Sequence, residues 1–163
     1  MEREYDKELL DFIQNSPSVY HMIAGQKQRL LAAGYTQLLE SETWKLRPGG
    51  KYFLTRNGSA IVAFRVPEGP FRGFMIMASH SDSPALKVKE HPEITVEGTY
   101  RKLNVELYGG ALLAPWFDRP LSVAGRLFLR TAEGVRPCLV DAGRDLVLIP
   151  SLAIHMNREV NAG

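Results

Sequence analysis

One stretch limits what this chain can become: Phe74-Met-Ile-Met-Ala-Ser-His80-Ser-Asp82-Ser-Pro84. Residues 73–79 are apolar at nearly every position, not alternately, so the run reads as a strand covered on both faces. It stops at His80, a carboxylate follows at Asp82, and Pro84 turns the chain away. In layered sheets ligands gather at the carboxyl ends of strands. The pattern therefore predicts a buried strand that delivers a metal ligand and its supporting carboxylate to a sheet edge.

The elements before it supply a platform. Leu9, Leu10, Phe12 and Ile13 lie at helical spacing within residues 5–15. Residues 16–18, Ser-Pro-Ser, break that helix, and Ser18 is a good N-cap for a second one over residues 19–33. Val19, Met22, Ile23, Leu30 and Leu31 form its apolar stripe, and Gly34 is placed to end it. His21 on this helix reads as a surface or packing residue rather than a ligand. Residues 34–44 are irregular, with Tyr35, Leu38, Leu39 and Trp44 as expected core anchors. Two β-rich runs, 51–56 and 59–66, flank Asn57-Gly58 and predict a hairpin with a type I′ turn.

After Lys89 the character changes. Residues 90–93, Glu-His-Pro-Glu, read as a connector. Short strands are expected at 94–96, 102–108, 122–130, 135–140 and 146–149, with turn-rich pieces and no helix between them. A helical turn is expected over residues 151–155, with Ser151 near its N-cap. Together these readings predict an α/β layered domain followed by a β-rich one.

Composition narrows the function classes. Of 163 residues, 45% are hydrophobic and 23% charged, which suits a globular protein. The net charge of +2 is too balanced to argue for nucleic acid. No apolar run approaches the roughly 18–20 residues of a membrane span. The first residues, Met-Glu-Arg-Glu-Tyr-Asp, contain no apolar signal region, which argues against export. Cys138 is the single cysteine and fits a reducing cytoplasm as a small strand residue.

In extended chain, residues i and i+2 point the same way. The Asp82 carboxylate can therefore accept one ring proton of His80 and leave the other nitrogen for a metal. A polar turn with a surface His fits the same residues. Ligand count is the difficulty, because a catalytic zinc takes about three protein ligands plus water. The four histidines are His21, His80, His91 and His155, and no His-Glu-x-x-His or Cys-x-x-Cys is present. If His80 holds a metal, its companions come from other sequence. No Gly-x-Ser-x-Gly elbow and no phosphate-cradling loop before a helix offers another chemistry. Trp116-Phe-Asp118-Arg119-Pro120 reads as a packed turn in which Asp118 and Arg119 act locally.

An ordered set of motifs resembles a known family. Leu31-Ala-Ala-Gly-Tyr35, Pro48-Gly-Gly-Lys-Tyr-Phe53 and Thr55-Arg-Asn57 precede His80-Ser-Asp-Ser-Pro84 and Leu86-Lys-Val-Lys89. Tyr108-Gly-Gly110, Trp116-Phe-Asp-Arg119, Leu121-Ser-x-Ala-Gly-Arg126 and Ile149-Pro-x-Leu-Ala-Ile-His155 follow. The chain resembles the N-terminal part of the aspartyl aminopeptidases, co-catalytic metallopeptidases. That resemblance implies an α/β metallopeptidase domain over residues 1–90 and the first part of a β-rich dimerisation domain over 91–163. It implies two divalent metal ions, zinc with cobalt or manganese as alternatives, a peptide substrate with an acidic N-terminal residue, and a homo-oligomer. By resemblance His80 is a metal ligand, Asp82 the catalytic-site carboxylate that orients it, and His155 a substrate contact in the partner subunit's site. The bridging carboxylate, the general-base Glu and the remaining ligands would lie downstream, so the chain alone is expected to be inactive. The alternative reading is an inactive truncated homologue that serves only in folding or assembly. Ala111 replaces the third glycine of the family's Tyr-Gly-Gly-Gly, and Pro120 replaces an Asp.

Overall fold

A computed structural model describes residues 2–159. Two helices come first, α1 (Glu2–Gln14) and α2 (Val19–Ala32). The strands are β1 (Thr36–Gln37), β2 (Lys51–Arg56), β3 (Ala60–Arg65), β4 (Ala85–Val96), β5 (Tyr100–Tyr108), β6 (Pro120–Leu121), β7 (Ala124–Thr131), β8 (Gly134–Asp141) and β9 (Val147–Leu148). Two single 3-10 turns occupy Ala114–Trp116 and Ile154–Met156. Mixed helix and strand is thus the fold class, with helices early and strands thereafter. The chain divides into two compact units, residues 1–82 with 124–141, and residues 83–123 with 142–163.

In the first unit, local chemistry sets the ends of α2. The Ser18 hydroxyl accepts from the His21 N–H at 3.4 Å and meets the His21 Nδ1 at 2.8 Å. At the other end Tyr35 N–H donates to Leu30 O and Gly34 N–H to Leu31 O, with Gly34 at φ +79°. This is the Schellman arrangement, and it needs a residue that tolerates left-handed backbone. The chain then enters β1, which pairs parallel with β2, and β2 pairs antiparallel with β3 from Lys51↔Arg65 to Arg56↔Ala60. Asn57 and Gly58 both have positive φ, as a type I′ turn requires, with Ser59 as a third connecting residue. The second hairpin of this unit joins β7 to β8.

The buried centre is small. Ile23 of α2 and Tyr52 and Phe53 of β2 are its buried apolar residues, and Phe53 is fully enclosed. Phe64 packs its ring 5.7 Å from that of Tyr52. Leu39 and Trp44 are exposed rather than core anchors. Trp44 instead covers Phe64 from outside and donates its indole N–H to Leu39 O at 2.8 Å.

Two further expectations fail here. Residues 73–79 form no strand. Phe74 is 82% exposed and Met77 100%. A strand needs neighbours for its backbone groups and cover for both faces, and none of the described strands pairs with this segment. Residues 90–93 are not a connector. They lie inside β4 as a bulge, where the five steps from Val88 to Glu93 face the two from Val105 to Leu103. His91 takes φ +52° there, and Pro92 lacks an N–H to donate. A bulge accommodates both features without ending the strand.

The second unit contains the β4–β5 hairpin and a short antiparallel pairing of β6 with β9, Pro120↔Leu148 and Leu121↔Val147. Leu146 N–H donates to Leu121 O at 2.9 Å and lengthens that pairing.

Candidate metal-ligand site

His80 and Asp82 follow the exposed apolar segment directly. Ser81 ties this loop down, donating its hydroxyl to Ser59 O at 3.0 Å beside the β2–β3 turn. The His80 Nδ1 lies 2.8 Å from the Asp82 carbonyl oxygen and 3.1 Å from its Oδ1. Both partners are acceptors, so Nδ1 is the nitrogen that carries the proton. The Nε2 lone pair is then left for another group. The ring is 81% exposed at its side chain and the carboxylate 39%.

The donor chemistry fits one position of a divalent-metal site: a neutral imidazole whose tautomer is set by a carboxylate. It does not fit a whole site. Among the described residues no three His, Cys, Asp or Glu side chains gather around one point. Of the other histidines, His21 is engaged with Ser18, His91 sits in the β4 bulge, and His155 is exposed on the Ile154–Met156 turn.

The segment leading to His155 is held in a way the sequence did not signal. Ser151 does not cap the following turn, whose N-cap is Ala153 with no side-chain bond. Its N–H donates to Asp118 Oδ1 at 2.9 Å and its hydroxyl to Oδ2 at 2.5 Å. Asp118 thus serves Ser151, 33 residues away, rather than Arg119. The Ser151 hydroxyl, and after it the Ser151 N–H, hold the Asp118 carboxyl below the usual carboxylate range. Residues so far apart, neither in a regular element, leave no periodicity from which their pairing could be read.

These motifs and this fold have counterparts. The family profile described as Aminopeptidase I zinc metalloprotease (M18) matches residues 12–163. The chain belongs to the M18 family. The protein named probable M18 family aminopeptidase 2 of Clostridium acetobutylicum is 45% identical over 99% of this chain. That of Pseudomonas fluorescens SBW25 is 47% identical over 100%. The chain spans 38% of the length of each of these relatives. Among solved structures, Chaetomium thermophilum mApe1 is 38% identical with a TM-score of 0.88, covering 94% of this chain and 36% of that one. The mApe1 dodecamer of S. cerevisiae is 30% identical with a TM-score of 0.83, covering 91% and 36%. Among the described residues no helix is long and apolar enough to cross a membrane.

Proposed function

We propose that this chain is the N-terminal share of a metal-dependent M18 aminopeptidase that removes N-terminal residues, acidic ones by preference, from peptides. Membership of the M18 family over residues 12–163 is the observation that carries this reading. Residues 1–90 belong to the metallopeptidase domain and 91–163 to a β-rich dimerisation domain. The working assembly is a homo-oligomer in the cytoplasm.

His80 binds one of two divalent metal ions, zinc before cobalt or manganese, through Nε2. Asp82 accepts the Nδ1 proton and keeps the ring in the ligating tautomer. Bound divalent ions supply polarisation of the peptide carbonyl and activation of water. His155 reaches the substrate in the partner subunit's site. The remaining ligands and the general base come from outside this chain, so the chain by itself turns over no substrate. The exposed Phe74–Met77 run and the lone imidazole–carboxylate pair support that dependence.

The test is made on the complete enzyme. His80→Ala is expected to lower bound metal, read by elemental analysis, and to abolish release of N-terminal Asp or Glu. Full metal content and turnover in that variant, or full metal-dependent turnover by the 163-residue chain alone, would refute the assignment.

A further inference from the structure

Asp118 stands out among the residues with left-handed backbone. Among the described residues, four non-glycine ones have positive φ: Asn57, His91, Glu97 and Asp118. Asn57 and Glu97 precede glycines in hairpin turns, and His91 lies in a bulge. Asp118 lies in none of these. It sits at φ +54° between the Ala114–Trp116 turn and β6, a conformation few side chains adopt and Asp tolerates.

What this conformation achieves is visible in the bonds. The Asp118 N–H donates to Ile149 O at 2.9 Å. Its carboxylate turns the same way and takes both donors of Ser151, the N–H at 2.9 Å and the hydroxyl at 2.5 Å. The β6–β9 ladder stops at Pro120↔Leu148, so Asp118 extends it by a side chain across Ile149, Pro150 and Ser151. Pro150 has no N–H of its own to contribute. Asp118 therefore holds the chain at Ser151, just before it runs through Leu152 and Ala153 into the turn bearing His155.

We infer that Asp118 is a positioning residue: acting through Ser151, it sets where the His155 imidazole stands. The inference rests on the reading of His155 as a substrate contact. A carboxylate with two donors from one residue fixes direction as well as distance, and both bonds are charge-assisted. Losing them leaves His155 at the end of a segment held no further along than Ile149, by the backbone bond from the Asp118 N–H. Misplacement of a substrate-contacting group by about 1 Å can cost up to about 100-fold in rate.

The experiment is a set of variants in the complete enzyme, read by kcat and KM. Ser151→Ala removes the hydroxyl while keeping the backbone bond and the Asp118 backbone, so it tests the clasp without risk to the fold. Asp118→Ala removes both bonds, and Ser151→Thr restores a hydroxyl donor. The expected result is a fall of about 10-fold in kcat/KM for Asp118→Ala, a smaller fall for Ser151→Ala, and recovery in Ser151→Thr. The Asp118→Ala/His155→Ala double variant is expected to be no worse than His155→Ala, because the two residues act on one contact. Losses that simply add, or wild-type kinetics in both clasp variants, would overturn the positioning role. If His155→Ala itself leaves kcat/KM unchanged, the substrate-contact reading fails instead. A loss at His155 with none at Asp118 removes only the clasp.

Discussion

The guanidinium of Arg126 lies 4.1 Å from the centre of the Tyr20 ring, across 106 residues of sequence. It also donates to the Asn57 carbonyl at 2.5 Å and sits 4.8 Å from the Phe128 ring centre. One side chain of β7 thus grips helix α2 and the β2–β3 turn together. The β7–β8 hairpin is a two-stranded ribbon, and such ribbons are marginal alone.

Removing that grip should therefore be costly. A partly desolvated cation–π contact contributes about 0.5–2 kcal/mol, and a hydrogen bond from a charged donor about 1.5–3 kcal/mol. Arg126→Ala is expected to lower stability by about 2–3 kcal/mol, measured as a shift of the urea midpoint. Arg126→Lys keeps the charge but not the planar fork, so it should recover only part. An unchanged midpoint in Arg126→Ala would show that the hairpin is held by other contacts.

The His80–Asp82 pair makes a graded prediction. Asp82→Asn removes the negative charge but keeps an acceptor for the Nδ1 proton. Partners of this kind typically change metal affinity or activity about 10–100-fold. In the complete enzyme Asp82→Asn should bind metal more weakly within that range, read by chelator competition, while His80→Ala should lose the metal at that position. Equal effects in the two variants would mean that Asp82 does more than orient the ring.

Local signals in the sequence were legible because their causes are local. Ser18, Gly34 and Asn57-Gly58 act on backbone within a few residues, and the structure uses each in that way. The His80–Asp82 contact could be read for the same reason, since the two residues stand only two positions apart. The apolar run at residues 74–77 misled in an instructive manner. It states that something must cover this segment, yet not whether the cover lies in the same chain. The Asp118–Ser151 and Arg126–Tyr20 contacts were illegible because nothing along the sequence encodes a meeting of residues tens of positions apart. Ser151 before a short turn looks like a cap, and only the fold brings a carboxylate to claim it.

Acid should release the Asp118–Ser151 clasp. The Asp118 carboxyl is held below the ordinary carboxylate range, first by the Ser151 hydroxyl and then by the Ser151 N–H. A group whose pKa falls on folding favours the folded state above its unfolded pKa, about 3.9 for Asp. That contribution is lost as pH drops through the lower folded value. Protection of the Ser151 amide against hydrogen exchange should therefore persist at neutral pH and fade only below about pH 3.9. Asp118→Asn carries no titrating group there, so its Ser151 protection should be lower at neutral pH and lack that acid limb. An identical acid limb in the variant would assign the titration to another carboxylate.

The segment containing Phe74, Met75, Ile76 and Met77 predicts how the isolated chain behaves. These four residues are 82%, 103%, 83% and 100% exposed. A contiguous apolar run of this kind, with unpaired backbone, is a template for pairing with another chain. Burying an apolar side chain of this size contributes about 1.5–3 kcal/mol, so the drive to cover four of them outweighs the modest net charge of +2. The chain alone should associate in a concentration-dependent way, read by light scattering across a dilution series. Met75→Lys with Met77→Lys should suppress that association, because a charge must then be desolvated in any strand pairing. In the complete enzyme the same pair should instead lower stability, since the cover the run calls for would have to bury two lysines. A chain that stays monomeric at high concentration would show that residues 73–79 need no partner, and the reading of this stretch as an unmet strand would fall with it.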